Sequence, residues 1–358
     1  MRIAYGVHGY GQGHATRSMS VLPALRERHE VLVFAGGEAY EAIKSEHPVV
    51  SIPCLAYHYG PNGKRSLWLT GRRAAPLILD VLRRGPTFRT VEEKLREFDP
   101  DVIVSDAEML THWVGKYLGV PRINFDHFGV LAYFNPPMRR RDRLFKWREV
   151  LAYKRLIRNP ERVLVSSFYD AEPTRKGVRL IGTLLRPEVA ELKATDGEHL
   201  LVYINNGEQL YTPDIERALH ELDCPMYVYG TAREGQDGKL EYRPRSNVTF
   251  IEALASCRAV ISSAGNQLVG EAIHLRKPML VMPEDCMEQW INGMALTRLG
   301  LGRHISRKDF SASVVRGFLD ELPRFTESMR SHAGDGSRDA VEALETFFEE
   351  LAGGVTCV

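Results

Sequence analysis

A glycine-rich segment near the start of the chain ends in a histidine that could act as a general base. It reads Gly9-Tyr-Gly11-Gln-Gly13-His14 and directly follows an apolar run typical of a β-strand. Glycines at a strand-to-helix turn let the backbone bend tightly and lie close to a ligand. The amide groups and the positive dipole end of the following helix would face the same ligand. An imidazole with an ordinary pKa of about 6.5 can take a proton from a hydroxyl group, so we predict general-base chemistry here.

Asp106 is the carboxylate that we expect to orient His14. It follows the apolar run Val102–Ser105, and the glycine segment also follows a strand. Carboxyl ends of parallel strands meet at one edge of a sheet, so the two side chains should lie close together. A carboxylate bonded to the second ring nitrogen fixes the tautomer and stabilises the imidazolium. Taken singly, His14 also fits a hydrogen-bonding residue at a helix start, and Asp106 fits a helix N-cap.

Three other chemistries are disfavoured by residue spacing. A dinucleotide-binding turn needs G-x-G-x-x-G, and His14 stands where its last glycine would be. Asp99-Pro-Asp101 has the D-x-D form of a metal clamp, but it precedes its strand, so we interpret it as a solvated turn. The twelve histidines show no H-x-x-x-H spacing. We therefore expect no metal site and no resident cofactor.

A second informative stretch covers residues 260–273 and is typical of a phosphate-binding turn. Small polar residues end an apolar run, Gly265 opens a turn, and a helix begins with Asn266 and Gln267. Hydroxyl groups and backbone amides at a helix start suit a diphosphate. Glu271 stands six residues beyond Gly265, where its carboxylate could accept hydrogen bonds from a ribose diol.

Short apolar strands alternate with longer helical stretches, and these elements must position the residues above. The first half has six predicted strands, Arg2–Val7, Val31–Ala35, Val49–Ile52, Val102–Ser105, Arg122–Phe125 and Val163–Ser166. The second half has five, Leu200–Asn205, Met226–Tyr229, Val248–Ile251, Ala259–Ser262 and Met279–Met282. Near-continuous apolar strands between helices indicate parallel sheets covered on both faces. We predict an α/β fold with two Rossmann-like, doubly wound domains.

With 358 residues, the chain is long enough for two domains. We place them at residues 1–175 and 186–335, because Asp170–Leu192 mixes Pro, Gly and charged residues between the two sets of strands. A C-terminal acidic helix within residues 339–358 could pack back onto the first domain.

The composition is that of an ordinary globular protein, with 44% hydrophobic and 26% charged residues. A net charge of +1 gives no overall footprint for nucleic acid. The five cysteines form no C-x-x-C pair, which suits a reducing compartment. A strand pattern starts at once and no apolar run reaches about 20 residues, so we expect neither a secretory leader nor a membrane span and predict a cytoplasmic protein.

Residues 139–158 form a strongly basic segment. They include nine Lys or Arg and two Asp or Glu, a net charge of +7, with Phe145, Trp147 and Tyr153 among them. A basic amphipathic helix can lie on anionic lipid, here at the inner face of a membrane. The same composition fits a solvated helix whose aromatic residues pack on the sheet, or a wall that binds an anionic acceptor. We favour the solvated helix over membrane contact.

Taken together, the two motifs resemble the GT-B glycosyltransferases. The run Ser263–Gly302 is similar to the donor-binding region of MurG-like enzymes and of plant and antibiotic-type UDP-glycosyltransferases, and the G-x-G-H-x-x-R motif that ends at Arg17 resembles one branch of that superfamily. The resemblance covers nearly the whole chain. It implies two domains facing a cleft and a metal-independent, inverting hexosyl transfer from a nucleoside diphosphate sugar, with UDP or dTDP as the nucleotide, to a hydroxyl or amine of a small-molecule or lipid acceptor.

The resemblance also implies roles for individual residues. His14 matches the catalytic base and Asp106 its orienting carboxylate. Ile251 matches the main-chain contact to the nucleobase. The residues that match the donor site as a whole are Gly11, Gly13, Asn206, Gly207, Ile251, Ser263, Ala264, Gly265, Asn266, Gln267, Glu271, Glu288 and Gln289. Ser263 replaces the histidine found in many relatives, and the plant-type base-stacking tryptophan is missing, so the nucleobase stays open.

The acceptor is less well indicated than the donor. Residues of the first half that could line an acceptor pocket, or equally serve as surface and packing residues, are Arg65, Trp68, Arg72, Arg73, Asp126, His127 and Phe128. Two alternative functions remain open, a nucleotide-sugar hydrolase that shares the G-x-G-H-x-x-R motif and a non-catalytic protein that binds sugar nucleotides.

Overall fold

The computed structural model describes residues 1–354 apart from 61–65, 206, 245 and 333. It contains two compact units, which are treated separately below. Unit 1 comprises residues 1–60, 66–186 and 336–354, and unit 2 comprises the described residues of 187–335. Arg65 and Asn206, two of the residues singled out in the sequence, lie outside the described residues.

Unit 1 is built on a parallel sheet of seven strands in the order β3-β2-β1-β4-β5-β7-β9, beside a short antiparallel pair of β6 and β8. Its strands are β1 (Arg2–Val7), β2 (Glu30–Ala35), β3 (Val49–Ser51), β4 (Val102–Asp106), β5 (Arg122–Asp126), β6 (Phe134–Asn135), β7 (Arg162–Ser166), β8 (Glu172–Pro173) and β9 (Val178–Ile181). The order reverses at β1, which lies between β2 and β4, so the switch point of the sheet falls between β1 and β4. Ligand sites of open α/β sheets lie at such points.

Helices cover both faces of this sheet. They are α1 (Gln12–Met19), α2 (Leu22–Arg28), α3 (Gly37–Ile43), α4 (Leu67–Arg83), α5 (Pro86–Phe98), α6 (Met109–Leu118), α7 (Gly129–Tyr133), α8 (Arg143–Leu156) and, from the end of the chain, α17 (Ser337–Ala352). Alternate residues of β1 face opposite sides. Ile3 and Tyr5 belong to one core cluster, whereas Ala4 belongs to the other. This alternation allows one apolar strand to pack on two helical layers.

The C-terminal helix α17 completes the core of unit 1. Leu344 and Phe347 are almost fully buried in the same cluster as the strand residues of β1. Glu350 forms an ion pair with buried Arg162 of β7, with 2.7 Å between Oε2 and Nε. Helix α17 therefore contributes to the hydrophobic core of unit 1, although unit 2 separates it in sequence from the rest of that unit.

Unit 2 has a second seven-stranded sheet, in the order β12-β13-β11-β10-β14-β15-β16. Its strands are β10 (Leu200–Tyr203), β11 (Met226–Tyr229), β12 (Gly235–Asp237), β13 (Leu240–Tyr242), β14 (Ala259–Ser262), β15 (Met279–Val281) and β16 (Gly302–His304). Every pairing is parallel except the β12–β13 hairpin. Its helices are α9 (Pro187–Ala190), α10 (Gly207–Leu210), α11 (Pro213–His220), α12 (Asn247–Ser256), α13 (Asn266–His274), α14 (Met287–Arg298), α15 (Ala312–Asp320) and α16 (Leu322–Met329).

The prediction of two doubly wound α/β sheets is confirmed, but one predicted strand is wrong. Val248–Ile251 lies within α12. Its apolar, β-branched residues are typical of a strand, yet the Ser246 hydroxyl caps the segment by accepting from the Thr249 amide, and only the helical spacing buries Ile251 and Leu254. Strands β6, β8, β9, β12, β13 and β16 had no counterpart in the sequence prediction.

The basic segment forms α8, preceded by a single 3-10 turn. Tyr153 is buried against unit 1, but Phe145 and Trp147 are 59% and 60% exposed. The expectation that the aromatic residues of this helix pack on the sheet is therefore wrong for two of the three. None of the helices in the described parts of the chain is both long and apolar enough to cross a membrane.

We predict that Phe347→Ala destabilises unit 1 by about 3–5 kcal/mol, because it leaves a cavity in a closely packed core. Urea unfolding followed by tryptophan emission measures this, since Trp68, Trp113 and Trp147 all lie in unit 1. The control is Glu349→Ala on the exposed side of the same helix, which should change little. Equal effects of the two substitutions would contradict a core role for α17.

Candidate active site

The histidine singled out in the sequence lies where the carboxyl end of β1 turns into α1. Gly11 is the N-cap residue of α1 and has a φ of +86°, a conformation that residues with a Cβ rarely adopt. At Gly9 a Cβ would collide with the backbone of Gly36, after β2. Both glycines therefore permit the tight turn. It places His14 in the first turn of α1 with 25% of its side chain exposed.

Asp106 reaches His14 because β1 and β4 are neighbours in the sheet. The register pairs Val7 with Asp106, and the His8 amide donates to the Asp106 carbonyl oxygen at 3.1 Å. The Asp106 carboxylate is fully buried, and its Oδ1 lies 2.7 Å from Nδ1 of His14. The structure thus brings the expected pair into direct contact.

Arg17 is a third member of this cluster, to which the sequence analysis assigned no role. It stands three residues after His14 on α1, a spacing that puts both side chains on one face of the helix. Its Nε donates to Oδ2 of Asp106 at 3.1 Å, and its Nη2 donates to Oδ1. Nη2 also lies 3.0 Å from Nδ1 of His14. The spacing of the histidine and arginine in G-x-G-H-x-x-R was the signal that could have revealed it.

The charges in this cluster determine which nitrogen of His14 is a base. Burial disfavours the charged form of Asp106, but Arg17 and His14 outweigh it, so the pKa of this carboxyl lies below its usual range. An ionised carboxylate only accepts hydrogen bonds, so the 2.7 Å contact requires the proton on Nδ1 of His14. Nε2 then carries the lone pair. The cluster can accept a proton at Nε2 and stabilise the resulting imidazolium.

His8 places a second imidazole beside His14. Their ring centroids are 5.0 Å apart and the rings meet edge to face. Burial and the neighbouring His14 lower the pKa of His8 to about 3. His8 therefore stays neutral near neutral pH and adds no positive charge next to the candidate base.

Two of the acceptor candidates, Asp126 and His127, are buried at the carboxyl end of β5. Asp126 accepts from the Tyr153 hydroxyl and from the Gly129 amide, both at 2.7 Å. Nδ1 of His127 donates to the Ser166 carbonyl oxygen at 2.6 Å. Phe128 packs on the Tyr153 ring with 4.9 Å between centroids. These contacts show how the three residues are held within unit 1, and an acceptor contact by them stays a prediction.

The other acceptor candidates lie on α4 and are accessible. Trp68 is 70% exposed, and the guanidinium carbon of Arg72 lies 5.4 Å from the centroid of its ring. Nη1 of Arg73 lies 3.2 Å from Nδ1 of His58. An acceptor contact by these residues stays a prediction.

In unit 2, the expected phosphate-binding turn connects β14 to α13. Gly265 is the N-cap residue of α13, and no side chain among the described residues caps its amides. A Cβ at Gly265 would meet nothing within 4 Å, so the space in front of the helix start is open. Nδ2 of buried Asn292 donates to the Ala264 carbonyl oxygen at 2.9 Å and fixes this turn from α14. Ser263, Gly265 and Gln267 are half-buried, whereas Ala264 and Asn266 are buried.

Two glutamine side chains form hydrogen bonds with glutamate residues near this turn. Nε2 of Gln267 donates to Oε1 of Glu271 at 3.0 Å, and Glu271 is 1% exposed. Oε1 of Gln289 accepts from the Glu284 amide at 2.8 Å. Glu288 and Gln289 are half-buried at the start of α14. The residues matched to sugar recognition thus adjoin the phosphate-binding turn within unit 2.

Gly207 and Ile251, two further donor candidates in unit 2, have engaged amides. The Gly207 amide donates to the Gly230 carbonyl oxygen at 2.9 Å, and a Cβ at Gly207 would collide with that backbone. Ile251 is buried within α12, so its N–H belongs to the hydrogen bonding of the helix. A contact from the Ile251 amide to a nucleobase would require the first turn of α12 to open.

The D-x-D segment has a structural role. Nη2 of Arg2 donates to Asp99 at 2.5 Å, and the Arg2 amide donates to Asp101 at 2.7 Å, so both carboxylates hold the start of β1. Within the described residues, Glu216, His220 and Asp237 of unit 2 form the one group whose spacing could hold a metal ion. Glu216 is already bonded to Arg233 and Tyr242.

We predict that Arg17→Leu lowers the free energy of unfolding by about 3–5 kcal/mol at pH 7, because it leaves the Asp106 carboxylate buried without its cation. Urea denaturation measures this loss. Arg28→Leu on α2, where the Arg28 side chain is 66% exposed, is the matched control and should have little effect. A tolerated Arg17→Leu would contradict the buried ion pair.

The same variant has a defined pH dependence. Because the folded pKa of Asp106 is depressed, its stabilisation is complete above the unfolded pKa of about 3.9 and is lost as the pH falls through the folded value. The stability difference between the native chain and Arg17→Leu should therefore shrink as the pH is lowered below about 4. A stability difference that grows on acidification would contradict the depressed pKa of Asp106.

Comparison with known proteins identifies the family of this chain. The profile of glycosyl transferase family 1 matches residues 1–323. A protein of Methanosarcina acetivorans described as an uncharacterized glycosyltransferase is 25% identical over 337 residues, which are 86% of this chain and 86% of that protein.

Solved structures show the same fold at low sequence identity. A UDP-glucosyltransferase from Polygonum tinctorium has a TM-score of 0.67 at 14% identity, over 98% of both chains. The glycosyltransferase VinC, solved with dTDP, has a TM-score of 0.63 at 15% identity, over 99% of this chain and 100% of VinC. The chain belongs to glycosyl transferase family 1 and is a glycosyltransferase with the GT-B fold.

Proposed function

We propose that this glycosyltransferase is an inverting, metal-independent hexosyltransferase that uses a nucleoside diphosphate sugar and a hydroxyl or amine acceptor, with His14 as its general base. The observation that carries the proposal is the 2.7 Å contact between Nδ1 of His14 and the buried Asp106 carboxylate. That contact leaves Nε2 as the basic nitrogen on a ring that is partly exposed. Such an oriented imidazole is what activation of a hydroxyl group requires.

In the proposed reaction the acceptor oxygen attacks the anomeric carbon on the face opposite the diphosphate. The acceptor proton passes to Nε2 of His14 as the new carbon–oxygen bond forms. The bond between the anomeric carbon and the diphosphate oxygen breaks, and its electron pair leaves with the diphosphate. Asp106 stabilises the imidazolium through the Nδ1 contact. The configuration at the anomeric carbon is inverted, because only one displacement takes place.

Arg17 shares the Asp106 carboxylate with His14. It donates to both oxygens of the carboxylate, so the Asp106 side chain is fixed in the position from which it orients the imidazole. Burial disfavours the charge on Arg17, but Asp106 outweighs it and raises the pKa of the guanidinium further. The cluster thus holds the imidazole ring in a fixed orientation beside a buried, paired carboxylate.

For the donor, the open helix start at Gly265 supports diphosphate binding. Backbone amides at a helix start and the positive end of the α13 dipole stabilise negative charge, and the departing diphosphate gains that charge as the bond breaks. Stabilisation of this kind needs no metal ion. The nearby carboxamide and carboxylate groups of Gln289, Glu288 and Glu271 suit the hydroxyl groups of the sugar and ribose. The names of the Polygonum UDP-glucosyltransferase and of VinC with dTDP support UDP or dTDP as the nucleotide.

We predict that His14→Ala lowers kcat by about 10²–10⁴-fold, because the acceptor loses its general base. The affinity for the donor should stay within about threefold, since diphosphate binding is assigned to unit 2. Turnover and donor affinity are measured on the same preparations. His220→Ala, on the surface of α11 in unit 2, is the matched control. A His14→Ala enzyme with near-native turnover would refute the base assignment.

Release of free sugar separates transfer from hydrolysis. If the proposal is right, product formation by the native chain depends on an added acceptor, and sugar release without acceptor is slow. Rapid release of free sugar that acceptors leave unchanged would identify a nucleotide-sugar hydrolase in which His14 activates water.

The donor is identified by thermal shift with UDP, dTDP and GDP sugars. A ligand present at 100 times its Kd adds about 2.7 kcal/mol of stability. For the nucleotide that binds, Glu271→Gln should weaken affinity by about tenfold, because a hydrogen bond to a charged group contributes roughly 1.5 kcal/mol or more. Glu252→Gln on α12 serves as the control. An unchanged affinity of Glu271→Gln for the nucleotide would contradict the proposed contact between Glu271 and the ribose.

A further inference from the structure

Helix α8 is fixed to the rest of unit 1 by hydrogen bonds near its carboxyl-terminal end. The Tyr153 hydroxyl donates to Asp126 and accepts from Nδ2 of Asn124, each at 2.7 Å. Nε1 of Trp113 donates to the Leu156 carbonyl oxygen at 2.7 Å. These contacts fix the carboxyl-terminal end of the helix, where Tyr153 is buried.

In contrast, the first turns of α8 expose large apolar side chains. Leu144, Phe145 and Trp147 are 68%, 59% and 60% exposed. Single exposed apolar residues are ordinary, but three large ones in the first turns of one helix are unusual, and exposed apolar surface of this kind is typical of an interaction site.

Positive charge surrounds this apolar patch. Arg139, Arg140, Arg141 and Arg143 are all exposed, and the guanidinium carbon of Arg148 lies 5.8 Å from the Phe145 ring centroid. The whole segment 139–158 carries a net charge of +7 while the whole chain carries +1. The remainder of the chain is therefore slightly acidic, and the attraction for an anionic partner is concentrated at this helix.

We propose that the basic, apolar surface formed by residues 139–148 docks on an anionic lipid membrane. Aromatic and leucine side chains insert at the boundary between headgroups and acyl chains, and the arginines bind the phosphate groups above it. Charge complementarity favours lipid over an apolar protein partner. The apolar residues favour lipid over a nucleic acid, since a side chain such as Leu144 adds nothing to phosphate binding. Docking of this surface is independent of the proposed reaction and of the identity of the acceptor.

Binding of the full-length chain to vesicles tests the proposal. Vesicles that contain phosphatidylglycerol should bind the protein at low salt, and vesicles of pure phosphatidylcholine should bind it far more weakly. Binding to the anionic vesicles should fall as the salt concentration rises, because added ions screen the arginines. Trp147 emission should shift to shorter wavelength on binding, and Trp147→Phe should remove most of that shift while binding is kept.

Two triple variants separate the contributions of charge and apolar surface. Arg140→Gln, Arg141→Gln and Arg143→Gln together should lower the partition coefficient about a hundredfold, since each basic residue near the surface contributes about fivefold. Leu144→Ser, Phe145→Ser and Trp147→Ser together should lower it by more than about tenfold. All six side chains are exposed, so both variants should keep the native melting temperature.

Matched controls carry the same changes elsewhere on the surface. Arg217→Gln, Arg330→Gln and Arg338→Gln remove three exposed arginines, and Leu79→Ser, Leu82→Ser and Val248→Ser remove three exposed apolar side chains. Both controls should bind vesicles like the native chain. The proposal is overturned if anionic vesicles fail to bind at low salt, if the controls lose as much binding as the α8 variants, or if single-stranded RNA displaces the protein from the vesicles.

Discussion

A buried carboxylate at the carboxyl end of β4 is the constraint on which the candidate site of unit 1 depends. Asp106 is fully buried. An isolated charge in that position would lower the free energy of unfolding by on the order of several kcal/mol. Arg17 and His14 compensate it from α1, and α1 can do so only because β1 and β4 are adjacent in the sheet. The strand order that stabilises the fold is therefore also what assembles the base and its orienting group.

The two units have the same architecture, but the carboxyl ends of their strands differ in the charge that they accommodate. In unit 1, the edge of the sheet holds an anion of its own, and a cation from the following helix neutralises it. In unit 2, the corresponding edge leaves the start of α13 uncapped by any described side chain and fixes the preceding turn through Asn292. The first arrangement produces a base beside a fixed carboxylate, and the second offers hydrogen-bond donors to an incoming anion.

Helix α8 connects this site to the surface of unit 1. Its Tyr153 hydroxyl bonds to Asp126 at the end of β5, one strand from Asp106. The Tyr153 hydroxyl and the Gly129 amide both donate to Asp126 and so offset part of the cost of burying its carboxylate. Burial raises the pKa of Asp126 while Tyr153 opposes that rise. The bond fixes the carboxyl-terminal end of α8, whereas Leu144, Phe145 and Trp147 near its start are exposed.

The sequence by itself determined the α/β class, most of the strands and the contact between His14 and Asp106, because strand-end motifs and apolar runs are local signals that any parallel sheet uses in the same way. It did not determine that Arg17 completes the cluster, that Val248–Ile251 is helical, or that Phe145 and Trp147 face solvent. Those outcomes depend on which face of each helix meets a neighbour. Burial is a property of the packed chain, and only the tertiary structure decided where each of these side chains lies.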